Sequence, residues 1–288
     1  MASALAAGTL TLADDLVLTR MGYGSMQLPG PGVFGPPRDR DEAIAVLREA
    51  VALGIRHIDT ADYYGPEVSN ELIREALYPY PEDLRVVTKV GAVRGDDASW
   101  IMRRGRDDLI ASVHRNLEQL SVDAVDVVNL RLGGHGGPVD EPIAEWLGPL
   151  VELREQGLIR HLGISEATSS QLTEAQGMAP VVTVQNHYNL VHRDDDELVD
   201  RCAREGIAFA PYFPLGGFTP LQSGELDRIA ERIGASPQQT ALAWLLQRSP
   251  TIVVIPGTSS VAHLRENVAA AELELSEQDV RELDAIGA

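Results

Sequence analysis

Three things are scarce in this chain. It has one cysteine, Cys202, which excludes an intramolecular disulfide framework and any thiolate-cluster metal spacing, and points to a reducing, cytoplasmic compartment. It has no apolar run near the roughly 18 residues that a bilayer span needs. The opening stretch MASALAAGTLTLADDLVL carries no basic segment and soon meets Asp14 and Asp15, unlike a secretory signal. Positive charge is also short, with 24 Lys+Arg against 43 Asp+Glu and a formal net charge of −19. Such a surface repels nucleic acid and anionic membrane, so neither is expected as a partner. An anionic cofactor would have to be held by a local site working against that field.

Lysine is as scarce as cysteine. Of the 24 basic residues, 23 are arginine and one, Lys89, is lysine. A drift toward arginine explains the 23 without function, but not the position that stayed lysine. Arginine is a planar, permanently charged fork, whereas an ammonium is compact and shifts its pKa readily. Lys89 is therefore a candidate for chemistry that arginine cannot perform.

What is present is a core. At 288 residues, with 44% apolar and 23% charged residues, the chain suits one domain over 1–288. Short, nearly continuous apolar runs at 20–24, 55–58, 85–90, 125–130, 159–163, 181–185, 207–211 and 252–255 have the pattern of strands buried on both faces of a parallel sheet. Helical periodicity fills 41–53, 67–77, 106–120, 141–156, 169–177, 194–205, 236–247 and 261–270. Asp41 and Ser236-Pro237 mark helix starts, and Gly54, Gly157 and Gly206 mark stops before the next strand. This alternation predicts an α/β fold, a (β/α)8 TIM barrel. Residues 9–19 predict a β-hairpin ahead of it, and the segment from Ser276 an extra C-terminal helix. Pro/Gly-rich segments at 29–37, 133–138 and 214–220 follow predicted strands, where such a barrel carries its catalytic loops.

Directly after the second predicted strand comes HIDTADYYG, 57–65, and the third strand, VVTKV, ends on Lys89-Val90. Asp59, Tyr64 and Lys89 are thus expected to meet at the catalytic face. An Asp–Lys pair alone could be structural. With the tyrosine added, the trio makes sense as an acid: a free phenol titrates near pH 10, and an adjacent ammonium lowers that value. Tyr63 competes for the role, but neighbouring loop residues diverge and one of the two faces a pocket. His57 should share the inward face of Asp59, where a structural histidine is the plainer reading.

DTADYYG with TKV closely resembles the aldo-keto reductase signature, and the likeness extends over essentially the whole chain. SVHRNLEQLSVDAVDVVNL, IRHLGIS, VQNHYN, PYFPLGG and IPGTSSVAHLRENVAA are similar to that family's further blocks. LPGPGVFGPPRDR, VVNLR and FPLGGFTPLQSG look like its bacterial pyridoxal reductase branch. The resemblance implies NADPH-dependent reduction of a small-molecule carbonyl, with NADH not excluded, by a monomer or weak oligomer. It makes Tyr64 the general acid, with Asp59 and Lys89 tuning it. Ser165 and Gln185 would bind the nicotinamide carboxamide and Tyr212 its ring. Gly24, Ser25 and Met26, with Pro214, Leu215, Gly217 and Ile255, would line the cofactor. Gly257, Thr258, Ser259, His263, Glu266 and Asn267 would hold the adenosine-phosphate end.

Three departures stand out. Arg131 occupies the place of the family's histidine at the end of the fourth strand; it can donate to a carbonyl oxygen or bind an anionic substituent such as the phenolate of pyridoxal, but it cannot release a proton. His135, four residues on, could supply an imidazole, though a surface loop histidine is the plainer reading. Glu166 stands where the family commonly has asparagine, and its role is open. Gly257 replaces a frequent lysine, so phosphate binding would rest on hydroxyls, backbone N–H groups at the helix start, and His263 or Arg265. The substrate is expected to be pyridoxal. Other aldehydes, ketones or natural-product intermediates stay open, as does a non-catalytic, cofactor-sensing subunit.

Overall fold

The structure, a computed structural model, describes residues 2–134, 137–217, 221 and 223–287. It opens with a hairpin of β1 (Thr9–Ala13) and β2 (Leu16–Thr19), as the alternation around Asp14-Asp15 predicted. Leu16 and Leu18 cluster with Val87, Val127 and Val182, so the hairpin plugs the barrel at its N-terminal end.

The parallel sheet is built from β3 (Tyr23–Gly24), β4 (His57–Asp59) and β5 (Arg85–Val90), followed later by β8 (Val125–Arg131), β9 (Ile159–Ser165), β10 (Val181–Gln185) and β11 (Ala208–Phe209). These seven strands are joined in a single hydrogen-bonded order, with β3 and β11 at the two ends. Residues around 252–257 close the ring: Ile252 bridges to Phe209, Val254 to Met21, and Gly257 to Gly24. The last approach requires glycine on both sides. A Cβ at Gly24 would lie 2.5 Å from the Ile255 carbonyl oxygen, and one at Gly257 2.8 Å from that of Gly24. The eight-stranded barrel expected from the alternation is thus the observed architecture.

Helices α1 (Arg40–Ala52), α2 (Val68–Leu77), α3 (Arg106–Leu120), α4 (Ala144–Glu155), α5 (Ser169–Met178) and α6 (Asp196–Glu205) wrap the strands. Their apolar stripes, for example Val46, Leu47 and Ala50 of α1, are buried against the sheet. The start of α1 is one residue earlier than Asp41 implied: Asp39 caps it through Glu42 N–H, and Asp41 lies in the first turn. The glycine stops at 54, 157 and 206 all have positive φ.

Two pieces fall outside the predicted alternation. A short hairpin of β6 (Ala92–Arg94) and β7 (Trp100–Met102) projects after β5, and α7 (Gly224–Ile233) precedes α8 (Pro237–Arg248). After α9 (Val261–Ala269) the chain ends in α10 (Glu277–Asp284), whose Ser276 forms the expected capping box. Among the described residues, no helix is long and apolar enough to cross a membrane.

Candidate active site

Strand β4 presents His57 and Asp59 on one face because side chains alternate along a strand. The loop that follows is pinned from three directions. Thr60 N–H donates to the Val87 carbonyl (2.8 Å), Tyr64 N–H to that of Ala61 (3.1 Å), and Ser69 N–H to that of Tyr64 (3.1 Å). The buried Asp62 carboxylate accepts from Ser112 (2.8 Å) and Arg115 (2.9 Å) on α3, tying the loop to a helix. Burial outweighs these donors and pushes the Asp62 carboxyl up to about 6.

On the other faces of β4 and β5, Thr60, Asn70, Asn116 and Thr88 form a buried chain of hydrogen bonds of 2.6–2.9 Å. It braces the two strands that deliver the site residues. Its groups are satisfied, which is what makes such a network rigid rather than costly.

Lys89 and Asp59 meet, as expected. Lys89 Nζ donates to Asp59 Oδ1 at 2.5 Å and to the Thr60 carbonyl at 3.0 Å, with both side chains 4% exposed. Gln185 Nε2 donates to the second Asp59 oxygen at 3.0 Å. The ammonium lies over the Tyr64 ring, 4.9 Å from its centroid. Tyr64 lines a cavity of about 310 Å³ at the C-terminal ends of the strands. Tyr63 does not line it, and its buried hydroxyl has no hydrogen-bond partner. Of the two tyrosines, Tyr64 is the one that faces the pocket.

One electrostatic expectation needs correction. The Tyr64 phenol is held above its ordinary value, first by burial and then by Asp59, with Arg131 opposing. The adjacent ammonium does not prevail, because desolvation of a phenolate in this enclosed wall is the larger effect. His57 is buried, faces Asp59 and Lys89, and is pushed down to about 4 by burial, so it stays neutral. It lies outside the cavity lining, in keeping with a structural role.

Other residues singled out in the sequence divide by position. Gly24, Met26, Asp59, Lys89, Arg131, Gln185, Tyr212, Pro214, Leu215, Gly217, Ile255 and Gly257 line the cavity. Ser25 does not: its buried hydroxyl donates to Thr60 Oγ1 at 2.9 Å. Ser165 is buried beside the cavity residue Glu166. Ser165 Oγ and Gln185 Oε1 are both buried without a hydrogen-bond partner. Tyr212 stacks on His187 (centroids 5.3 Å apart, planes at 15°), which stacks in turn on His192. His135 lies outside the described residues.

The outer end is less built. Thr258 and Asn267 are buried, Ser259 and His263 exposed and Glu266 half-buried, and the cavity lining stops at Gly257. Thr258 Oγ1 accepts from Ser260 N–H (3.1 Å), and Glu42 accepts from Val261 N–H (3.0 Å) at the start of α9. Arg265 is ion-paired to Glu49 (2.7 Å). Neither helix start nor arginine offers unopposed positive charge there.

Sequence reasoning did not single out Gln27, Trp100, Gly134, Phe213 and Pro256 of the lining. Trp100 is carried by the β6–β7 hairpin, whose signal was the Gly95-Asp96-Asp97 turn between short alternating segments.

Comparison with known proteins adds to this geometry. The model of the aldo/keto reductase family matches residues 20–288. The chain is 56% identical over 284 residues to pyridoxine 4-dehydrogenase of Escherichia coli (strain K12), covering 98% of this chain and 99% of that one. It resembles the solved structure of a thermostable aldo-keto reductase in complex with the inhibitor epalrestat, with 33% identity and a TM-score of 0.80 over 95% of this chain and 97% of that one. An aldo-keto reductase from Klebsiella pneumoniae, solved in complex with NADPH, shares the fold at 21% identity and a TM-score of 0.80, over 100% of this chain and 95% of that one.

Proposed function

The chain belongs to the aldo/keto reductase family, and from that premise we propose that it reduces the aldehyde of pyridoxal to the alcohol of pyridoxine with NADPH. The observation that carries this reading is Tyr64 in the cavity wall, backed by the buried Lys89–Asp59 pair and with Arg131 on the same lining. The near full-length likeness to pyridoxine 4-dehydrogenase supports the substrate.

The nicotinamide end fits the residues present. A carboxamide offers both donors and an acceptor, and Ser165 Oγ and Gln185 Oε1 are buried polar atoms left without partners. Ser165 and Gln185 would hold the carboxamide, and Tyr212, fixed from behind by His187, would carry the ring. When bound, the reduced nicotinamide supplies the hydride equivalent.

The chain's own part is positioning and proton supply. Tyr64, kept protonated by burial, donates its phenolic proton to the carbonyl oxygen as the alcohol forms. The Lys89 ammonium stabilises the phenolate left behind, and Asp59 holds Lys89 in place. Arg131 donates to the carbonyl oxygen or to the neighbouring phenolate of pyridoxal. The aromatic rim of Trp100 and Phe213 limits water at the reacting centre.

The test is NADPH oxidation, followed by its absorbance, against pyridoxal and a panel of aliphatic and aromatic aldehydes, with pyridoxine identified in the product. Pyridoxal is expected to give the highest kcat/KM. NADPH binding without turnover of pyridoxal would sink the reading.

A further inference from the structure

Among the described residues, four charged side chains line the cavity: Asp59, Lys89, Arg131 and Glu166. The first two are a closed pair at 2.5 Å. The other two form a second pair, with Arg131 Nη2 3.6 Å from Glu166 Oε1. Counted by formal charge, the lining is neutral because Glu166 cancels Arg131. Without Glu166, an aldehyde entering the site would meet an unopposed guanidinium.

The fold holds Glu166 in that position at some conformational cost. It directly follows β9 in the left-handed region, with φ of 56°, a conformation unfavourable for a residue with a Cβ. Its N–H donates to the Gln185 carbonyl at 3.0 Å. Gly133 makes room for it, since a Cβ there would lie 2.7 Å from Glu166 Cβ. The side chain is 1% exposed. Oε1 accepts the Tyr212 hydroxyl, and Oε2 is buried with no partner. A buried carboxylate with an unsatisfied oxygen is unfavourable for folding, so its presence in the cavity wall calls for an account.

We propose that Glu166 is the charge-selectivity residue of this site: by cancelling Arg131 it favours aldehydes with no net charge, zwitterions included, over aldehydes that carry an anionic group. The inference rests on the reading of the cavity as a carbonyl-reducing site and adds the class of substrate it accepts. Pyridoxal, whose phenolate and pyridinium cancel, belongs to the favoured class. Specificity is a difference between affinities, and a repulsive charge beside an attractive one is a direct way to create it. At the separations found inside one cavity, a single uncompensated charge is worth about a factor of ten or more in discrimination.

The experiment compares 4-carboxybenzaldehyde with 4-formylbenzamide, which have nearly the same shape and differ in charge. In the wild-type protein with NADPH, the amide is expected to have the higher kcat/KM. In Glu166→Gln the ratio of carboxylate to amide should rise about tenfold or more. Glu166→Asn, smaller and also neutral, should shift the ratio in the same direction and serves if the glutamine variant does not fold. A role in holding the wall together would lower both rates and leave the ratio unchanged, and that result would overturn the inference alone. Failure of the wild type to reduce either aldehyde would overturn the reading of the site and the inference with it.

Discussion

Lys89 Nζ stands over the face of the Tyr64 ring, 4.9 Å from its centroid, while donating to Asp59 and Thr60. The ammonium has no room to grow, being 4% exposed and fixed at 2.5 Å from a carboxylate that is equally buried. Lys89→Arg keeps the charge but must fit a larger planar group against the tyrosine. Its kcat for pyridoxal should fall by about 100-fold or more, as expected when proton transfer is disturbed. Lys89→Met leaves Asp59 buried without its cation and should lose about 3–5 kcal/mol of stability by urea unfolding. Wild-type turnover in the arginine variant would mean that the lone lysine owes nothing to chemistry.

Tyr64→Phe removes the hydroxyl and leaves the ring beneath Lys89. Turnover should drop by about 10²–10⁴-fold. Cofactor affinity, measured by quenching of protein fluorescence on titration with NADPH, should stay within about threefold, because the groups proposed for the carboxamide are Ser165 and Gln185. Parallel loss of binding and turnover would indicate that Tyr64 organises the cavity rather than supplying a proton.

The barrel was legible because its strands are near-continuous apolar runs with helices between them, and because Gly54, Gly157 and Gly206 mark the chain reversals. The meeting of Asp59, Tyr64 and Lys89 was legible for the same reason, since all three follow from position on or just after a strand. The strand ends were less so: the run 20–24 yields only Tyr23–Gly24 as ladder, with Met21 in an isolated bridge. The β6–β7 hairpin and α7 were missed because they interrupt the alternation, although Leu226, Ile229 and Ala230 of α7 show helical spacing. The Tyr64 phenol was misjudged because sequence locates a charge partner but not the depth of burial that outweighs it. The pairing of Glu166 with Arg131 and Tyr212 needed three strand ends to be placed in space.

Arg94 fixes the rim that carries Trp100. Its guanidinium donates to the carbonyls of Val33 (2.7 Å), Gly32 (2.9 Å) and Ala98 (2.7 Å) and lies 4.1 Å from the Trp100 ring centroid. Arg94→Ala should release both the 29–37 loop and the hairpin, raising KM for pyridoxal about tenfold while kcat changes little. Tryptophan emission should shift to the red as Trp100 gains water. A fall in kcat as large as the rise in KM would place the effect on the reacting centre instead.

His57 gives the fold a pH dependence with a defined sign. Burial holds its imidazole down to about 4, against an ordinary value near 6.5. The unfolded chain therefore takes up a proton below about pH 6.5 that the folded chain refuses until about pH 4, and stability falls as pH drops through that window. Between pH 7 and pH 5 this one group should remove about 2 kcal/mol, by the difference in proton binding between the two states. His187, also held down to about 4 by burial, acts in the same direction. Urea midpoints of the wild type and His57→Gln, measured at both pH values, separate the two contributions, because only the His57 part is lost in the variant. The wild type should lose more stability on acidification than the variant does. Equal losses would mean that His57 is protonated in the folded protein at pH 5, with the ammonium of Lys89 tolerating a second cation on the inward face of β4.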